Sequence, residues 1–129
     1  LVPMAGGPNS KIALKLLPPL VTFNKKLEIR LAQVFSPSTT QTDTKGLKAA
    51  KRLLVNRYKL SNKVEATPIK AASVSQGVIN LVKNEGFDLV VLGASGEGML
   101  QQAINGNIPE AIASGVDCTV ILVRGMSSE

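Results

Sequence analysis

The stretch LVVLGASGEGMLQQAINGNIP, from Leu89 to Pro109, decides how this chain folds. Its first four residues, Leu89-Val90-Val91-Leu92, are continuously apolar, the mark of a strand covered on both faces. A long glycine-containing loop follows, from Gly93 to Gly106. A helix is expected from about Asn107 to Ala113, with Pro109 in its first turn, where a missing N–H costs nothing. Thr119 to Val123 is then the last apolar strand. A buried strand, a loop, a helix and a second buried strand make one unit of a parallel sheet.

Upstream the same alternation repeats. Leu1 to Met4 is a short apolar run, followed by the turn-rich Ala5-Gly6-Gly7-Pro8-Asn9-Ser10. Asn9 or Ser10 is a suitable N-cap for a helix in which Ile12, Ala13, Leu16 and Leu17 recur at helical spacing. Pro18-Pro19 is expected to end or kink that helix. Leu27, Ile29 and Leu31 alternate with Glu28 and Arg30, predicting a strand that continues to Phe35. Ser36 to Asp43 reads as a loop. From Thr44, Leu47, Ala50, Leu53 and Leu54 share one helical face while Lys45, Lys48, Lys51 and Arg52 face out. Val64 to Ala71 predicts a strand at a sheet edge, because Pro68 lacks a ladder donor. Ser73 or Ser75 caps a third helix carrying Val74, Val78, Leu81 and Val82, which Gly86 ends.

The chain is therefore expected to be one α/β domain spanning residues 1–129. Its fold is a doubly wound, Rossmann-like five-stranded parallel sheet of order 3-2-1-4-5, with helices on both faces. Such sheets bind ligands at the carboxyl ends of the strands, where the winding reverses. In this order that point lies between the first and fourth strands. The loops leaving them, Ala5 to Ser10 and Gly93 to Gly106, are the two most glycine-rich in the chain.

Composition narrows the chemistry. The 129 residues hold three Phe, one Tyr and no Trp, so the core is aliphatic, and stacking platforms for single-stranded nucleic acid are nearly excluded. No nucleic-acid partner is expected. With no His, the chain lacks the usual general base and pH switch near neutrality. The single Cys118, inside an apolar run, reads as a structural thiol. No apolar stretch approaches the roughly 20 residues that cross a bilayer, so a cytoplasmic domain is expected. Residues 1–72 carry 13 Lys/Arg against three Asp/Glu, whereas residues 73–129 carry two against six. The basic half reads first as a solvated face, and second as a surface for an anionic membrane or an acidic partner. Because Leu1-Val2-Pro3 already reads as a strand, the chain is expected to be cut from a longer protein.

Gly93 and Gly96 are spaced so that their backbones turn sharply and present N–H groups inward. Gly106-Asn107 opens a helix whose N-terminus carries unpaired N–H groups and a partial positive charge. Together they describe a concave anion site for a di- or triphosphate, to which Ser95 and Asn107 add side-chain hydrogen bonds.

At this point the sequence resembles the universal stress protein family, whose ATP-binding members carry G-x2-G-x9-G-[ST] after the fourth strand. Gly93, Gly96 and Gly106 keep that spacing, with Asn107 in place of Ser or Thr. Asp88 to Arg124 matches the family's closing pattern, and Leu1-Val2-Pro3 with Ile12-Ala13-Leu14 resembles its first strand and helix. The resemblance implies a non-catalytic regulatory domain binding ATP or AMP, with or without Mg, through Ala5, Val34, Gly93, Ser95, Gly96, Gly106 and Asn107. Val34 stands at the family's adenine-contacting position. Ala5 stands where ATP-binding members usually have an Asp, and a hydrogen bond to a charged group is worth about 1.5–3 kcal/mol. The resemblance also implies homodimers through Thr119 to Val123.

Competing readings fail on particular residues. Gly6-Gly7-Pro8-Asn9-Ser10-Lys11 is not G-x4-G-K-[ST], and no G-x-G-x-x-G follows the first strand. A phosphoacceptor domain needs acidic residues where this chain has Ala5 and Ala71-Ala72. Glu97 has no carboxylate partner for acid–base work. The alternative that stands is a degenerate regulatory or dimerisation domain that binds no nucleotide. It would be covalently attached to the transmembrane part of a transporter or channel, at the cytosolic face of the membrane.

Overall fold

The computed structural model describes residues 1–4, 13–38, 40, 42–60, 63–94 and 108–124, with the backbone alone at Ala94 and Arg124. Strands β1 (Val2–Met4), β2 (Ile29–Phe35) and β3 (Val64–Lys70) form one parallel ladder in the order β1-β2-β3. Its register pairs Val2 with Leu31 and Leu31 with Ala66. A second parallel ladder pairs β4 (Leu89–Ala94) with β5 (Thr119–Arg124), placing Val91 beside Ile121. Leu1 joins the two. Its nitrogen donates to the Leu89 carbonyl at 2.9 Å, and the Val91 N–H donates to the Leu1 carbonyl at 2.9 Å. That pair of bonds is a parallel bridge centred on Val90, so the strand order is the expected 3-2-1-4-5.

Among the described residues, two of the helices pack on each face. Helices α1 (Leu17–Phe23) and α2 (Lys45–Arg52) press Leu17, Leu47 and Ala50 onto Val2, Ile29, Leu31 and Val91. On the other face, α3 (Val74–Glu85) and α4 (Ile108–Gly115) press Val78, Val82 and Ile112 onto Ala32, Val90 and Leu92. Successive residues of β4 alternate between these two clusters, which is why Leu89 to Leu92 is apolar at every position. Right-handed crossovers impose this division: connections running one way from β1 lie on one face, and those running the other way lie on the opposite face.

Local signals explain most of the element ends. Ser73 is the N-cap of α3, its side chain accepting from the Gln76 N–H at 3.1 Å. Gly86 ends the helix at φ 73°, a backbone conformation glycine takes without steric cost. Pro68 lies on β3, which has a neighbour on one side only. Pro18-Pro19 departs from expectation: the prolines occupy the first turn of α1, after a turn at Lys15–Leu16 that follows helical backbone at Ala13–Leu14. A first turn leaves its N–H groups unbonded anyway, so two prolines fit there and start a helix as readily as they stop one. Helix α2 also runs on as a π turn from Leu53 to Arg57, which buries Leu54 and brings Tyr58 and Leu60 against the core.

Arg30 ties three elements together at the amino end of the sheet. Its guanidinium reaches Glu65 on β3 at 3.2 Å and Glu85 at the end of α3 at 3.0 Å. It also stands 5.6 Å from the centre of the Phe87 ring.

Close packing of α3 on β2 depends on Gly77, which is buried. A Cβ at this position would lie 2.8 Å from Val34 Cγ2 and 3.1 Å from Ala71 Cβ. Val34 is β-branched and stiff, so it cannot swing aside. Gly77→Ala gains up to about 1 kcal/mol in helix propensity, while overpacking a core costs about 1–3 kcal/mol. The expected net effect is a loss of roughly 1–2 kcal/mol in urea unfolding. A variant as stable as the parent would show that α3 does not sit this close to β2.

Candidate functional site

Parallel strands all end at one edge of the sheet, so Met4, Phe35, Lys70, Ala94 and Arg124 mark a common carboxyl end. The Leu1 bridge sets β1 and β4 side by side, and the described helices that follow them, α1 and α4, pack on opposite faces. The gap between diverging connections is where an open α/β sheet has room for a ligand.

Two of the expected site residues are described. Val34 lies one residue before the end of β2, on the face covered by α3. Gly93 lies one residue before the end of β4, paired with Val123, and by alternation from Leu89 and Val91 it falls on the α1 side. Strand spacing puts β2 and β4 roughly 10 Å apart with β1 between them. Val34 and Gly93 therefore flank the switch point without touching. Ala5, Ser95, Gly96, Gly106 and Asn107 lie outside the described residues.

The surrounding wall supplies two further groups. The amino end of α3 opens here, with the Ala71 N–H donating to the Phe35 carbonyl at 3.0 Å and Ser73 capping the helix. Gln33, paired with Met4 and Pro68, carries a buried side-chain oxygen with no hydrogen-bond partner among the described residues. Leaving such an acceptor unpaired costs about 1–3 kcal/mol. A Cβ on Gly46 would lie 3.8 Å from that oxygen, so Gln33 points under the start of α2. Sequence reading missed both Gln33 and Gly77. Gln33 alternates with neighbours like any half-buried strand residue, and the closeness of Gly77 to Val34 is a contact between distant segments.

Two open clefts among the described residues sit at the opposite, amino end of the sheet. One, of about 430 Å³, is lined by Leu17, Leu27, Arg30, Lys63, Glu85 and Phe87. The other, of about 590 Å³, runs between Val82, Lys83, Phe87, Asp88, Gly115 and Cys118. The wall of the first holds the ion pairs of Arg30 with Glu85 and of Lys63 with Glu28 and Glu65, together with Lys26 and Asp88. Among the described residues no three His, Cys, Asp or Glu side chains come together as a metal site.

The sequence model of the universal stress protein family matches residues 1–124, and the chain belongs to that family. Its fold is that of solved family members. A universal stress protein family structure from Burkholderia pseudomallei superposes with a TM-score of 0.68 at 13% identity, over 95% of this chain and 92% of that one. A universal stress protein in complex with cAMP gives 0.68 at 16% identity, over 95% and 93%. UspA from Lactobacillus plantarum gives 0.61 at 17% identity, over 95% and 94%. A comparison with curated proteins gives no match.

Proposed function

We propose that this chain is a nucleotide-binding regulatory domain that takes ATP or AMP at the carboxyl ends of β1 and β4. The observation that carries the reading is the position of Gly93. It lies one residue before the end of β4, and it is the first glycine of a G-x2-G-x9-G series that closes on Gly106, just ahead of α4. Backbone N–H groups of that loop, with the amino end of α4 behind them, would cradle the phosphates. Ser95 and Asn107 would add side-chain hydrogen bonds, and Val34 would face the base. Mg would accompany the triphosphate as its counter-ion. A fold neighbour solved with cAMP supports an adenine nucleotide as the ligand class.

The domain acts by binding rather than by turnover. The sequence offers no His and no carboxylate pair beside the loop, so efficient hydrolysis has no obvious base. Nucleotide would order the Gly93 to Asn107 segment and change assembly. Among the described residues β5 has β4 on one side and no strand on the other, and Leu122 on it is 44% exposed. An apolar edge of this kind pairs with its own copy across a twofold axis. Ala5 supports a second reading, in which the site has lost its acidic anchor and the domain regulates the transporter or channel to which it is joined.

Calorimetric titration with ATP separates the two. The expected result is a dissociation constant on the order of micromolar, lost in Gly96→Val, where a side chain blocks the turn. Absence of heat in the parent protein would favour the degenerate domain. Light scattering is expected to give the mass of a dimer, and a monomer at working concentration would remove the β5 interface.

A further inference from the structure

The sheet sorts the charges of this chain by layer. Between Thr44 and Leu60 the sequence holds six Lys or Arg and no Asp or Glu, all on α2 and the turns that follow it. All six are exposed: Lys45, Lys48, Lys51, Arg52, Arg57 and Lys59. Among the described residues no ion pair within 4.0 Å joins any of their side-chain nitrogens to a carboxylate, although the Lys45 backbone N–H donates to Asp43 Oδ1 at 3.1 Å. Leu47, Ala50 and Leu54 turn inward, so Lys45, Lys48 and Arg52 are carried to the outer side of the helix. Lys15, just before α1, is exposed on the same layer. The α3–α4 half is opposite in sign, with Glu85, Asp88, Glu110 and Asp117 against Lys83.

A second feature of the basic layer is apolar. Phe23, at the end of α1, is 90% exposed, and Lys25 and Lys26 follow it after Asn24. The other aromatics, Phe35, Tyr58 and Phe87, are at least partly buried. Val55, in the π turn that extends α2, is 43% exposed. A phenyl ring left in water forgoes the stabilisation that its burial would bring.

We propose that the α1–α2 layer is a docking surface for a bilayer containing anionic phospholipid. Compact lysine ammonium groups spread over one helical layer suit a diffuse negative surface, where each contributes about 1 kcal/mol. A solitary exposed ring flanked by lysines suits the headgroup–acyl boundary, where aromatic side chains anchor. One ring is not the row of stacking faces that single-stranded nucleic acid needs. No described helix is long and apolar enough to cross a membrane, and this mode of binding needs none. In the docked state the α1–α2 layer faces the lipid and the acidic α3–α4 half faces away. The surface is independent of the nucleotide reading.

Flotation with phosphatidylcholine vesicles, with and without roughly 30% phosphatidylserine, tests it. The chain is expected to float only with the phosphatidylserine vesicles, and less as salt rises. Reversing Lys45, Lys48 and Arg52 to Glu is expected to lower partitioning about tenfold or more. Phe23→Ser is expected to lower it several-fold, with both variants melting like the parent. No flotation at low salt overturns the proposal, as does a charge-reversed variant that floats like the parent. So does an unaffected Phe23→Ser together with tighter, reversal-sensitive binding to single-stranded RNA, which would make the layer a nucleic-acid surface.

Discussion

The two hydrogen bonds between Leu1 and β4 hold the architecture together. Each is worth only about 1 kcal/mol net, yet they turn a three-stranded ladder and a two-stranded ladder into one sheet. β1 is three residues long, and it sits between β2 and β4 with Val2 and Met4 buried. A strand so short cannot be held by its ladder alone. It is held because both of its neighbours pair with it and helices cover it. Without the bridge there would be no reversal of winding between β1 and β4, and no common carboxyl end for a ligand to occupy.

The same reversal organises the rest of the surface. Right-handed crossovers send the first two helices to one face and the last two to the other. The chain carries most of its positive charge in its first half, so topology converts a bias along the sequence into a bias between layers. The glycine loop and the basic layer thus share one origin. The loop leaves the strand at which the winding turns, and the layer is what was wound before the turn.

Much of this was legible in the sequence because the signals were local. Leu89 to Leu92 announces a strand buried on both faces, Ser73 and Gly86 mark the ends of α3, and Pro68 marks an edge. Strand order followed from the alternation of strands and helices and from the handedness rule. Pro18-Pro19 misled because proline has two opposite meanings, and only the preceding turn decides between them. The π turn after Arg52, the tight approach of Gly77 to Val34 and the unpaired oxygen of Gln33 arise from contacts across the chain. No window of sequence displays them. Of the expected site, Val34 and Gly93 lie one residue before the ends of β2 and β4, on strands either side of β1. The expectations for Ala5, Ser95, Gly96, Gly106 and Asn107 rest on motif spacing.

Hydrogen exchange at the Val91 amide tests the central claim most directly. That N–H donates to the Leu1 carbonyl, so its protection reports the bridge itself. A continuous sheet predicts that it exchanges as slowly as the amides inside the two ladders, through global unfolding alone. Exchange at the rate of a surface loop, with Leu31 still protected, would mean that the ladders are separate and that the switch point does not exist.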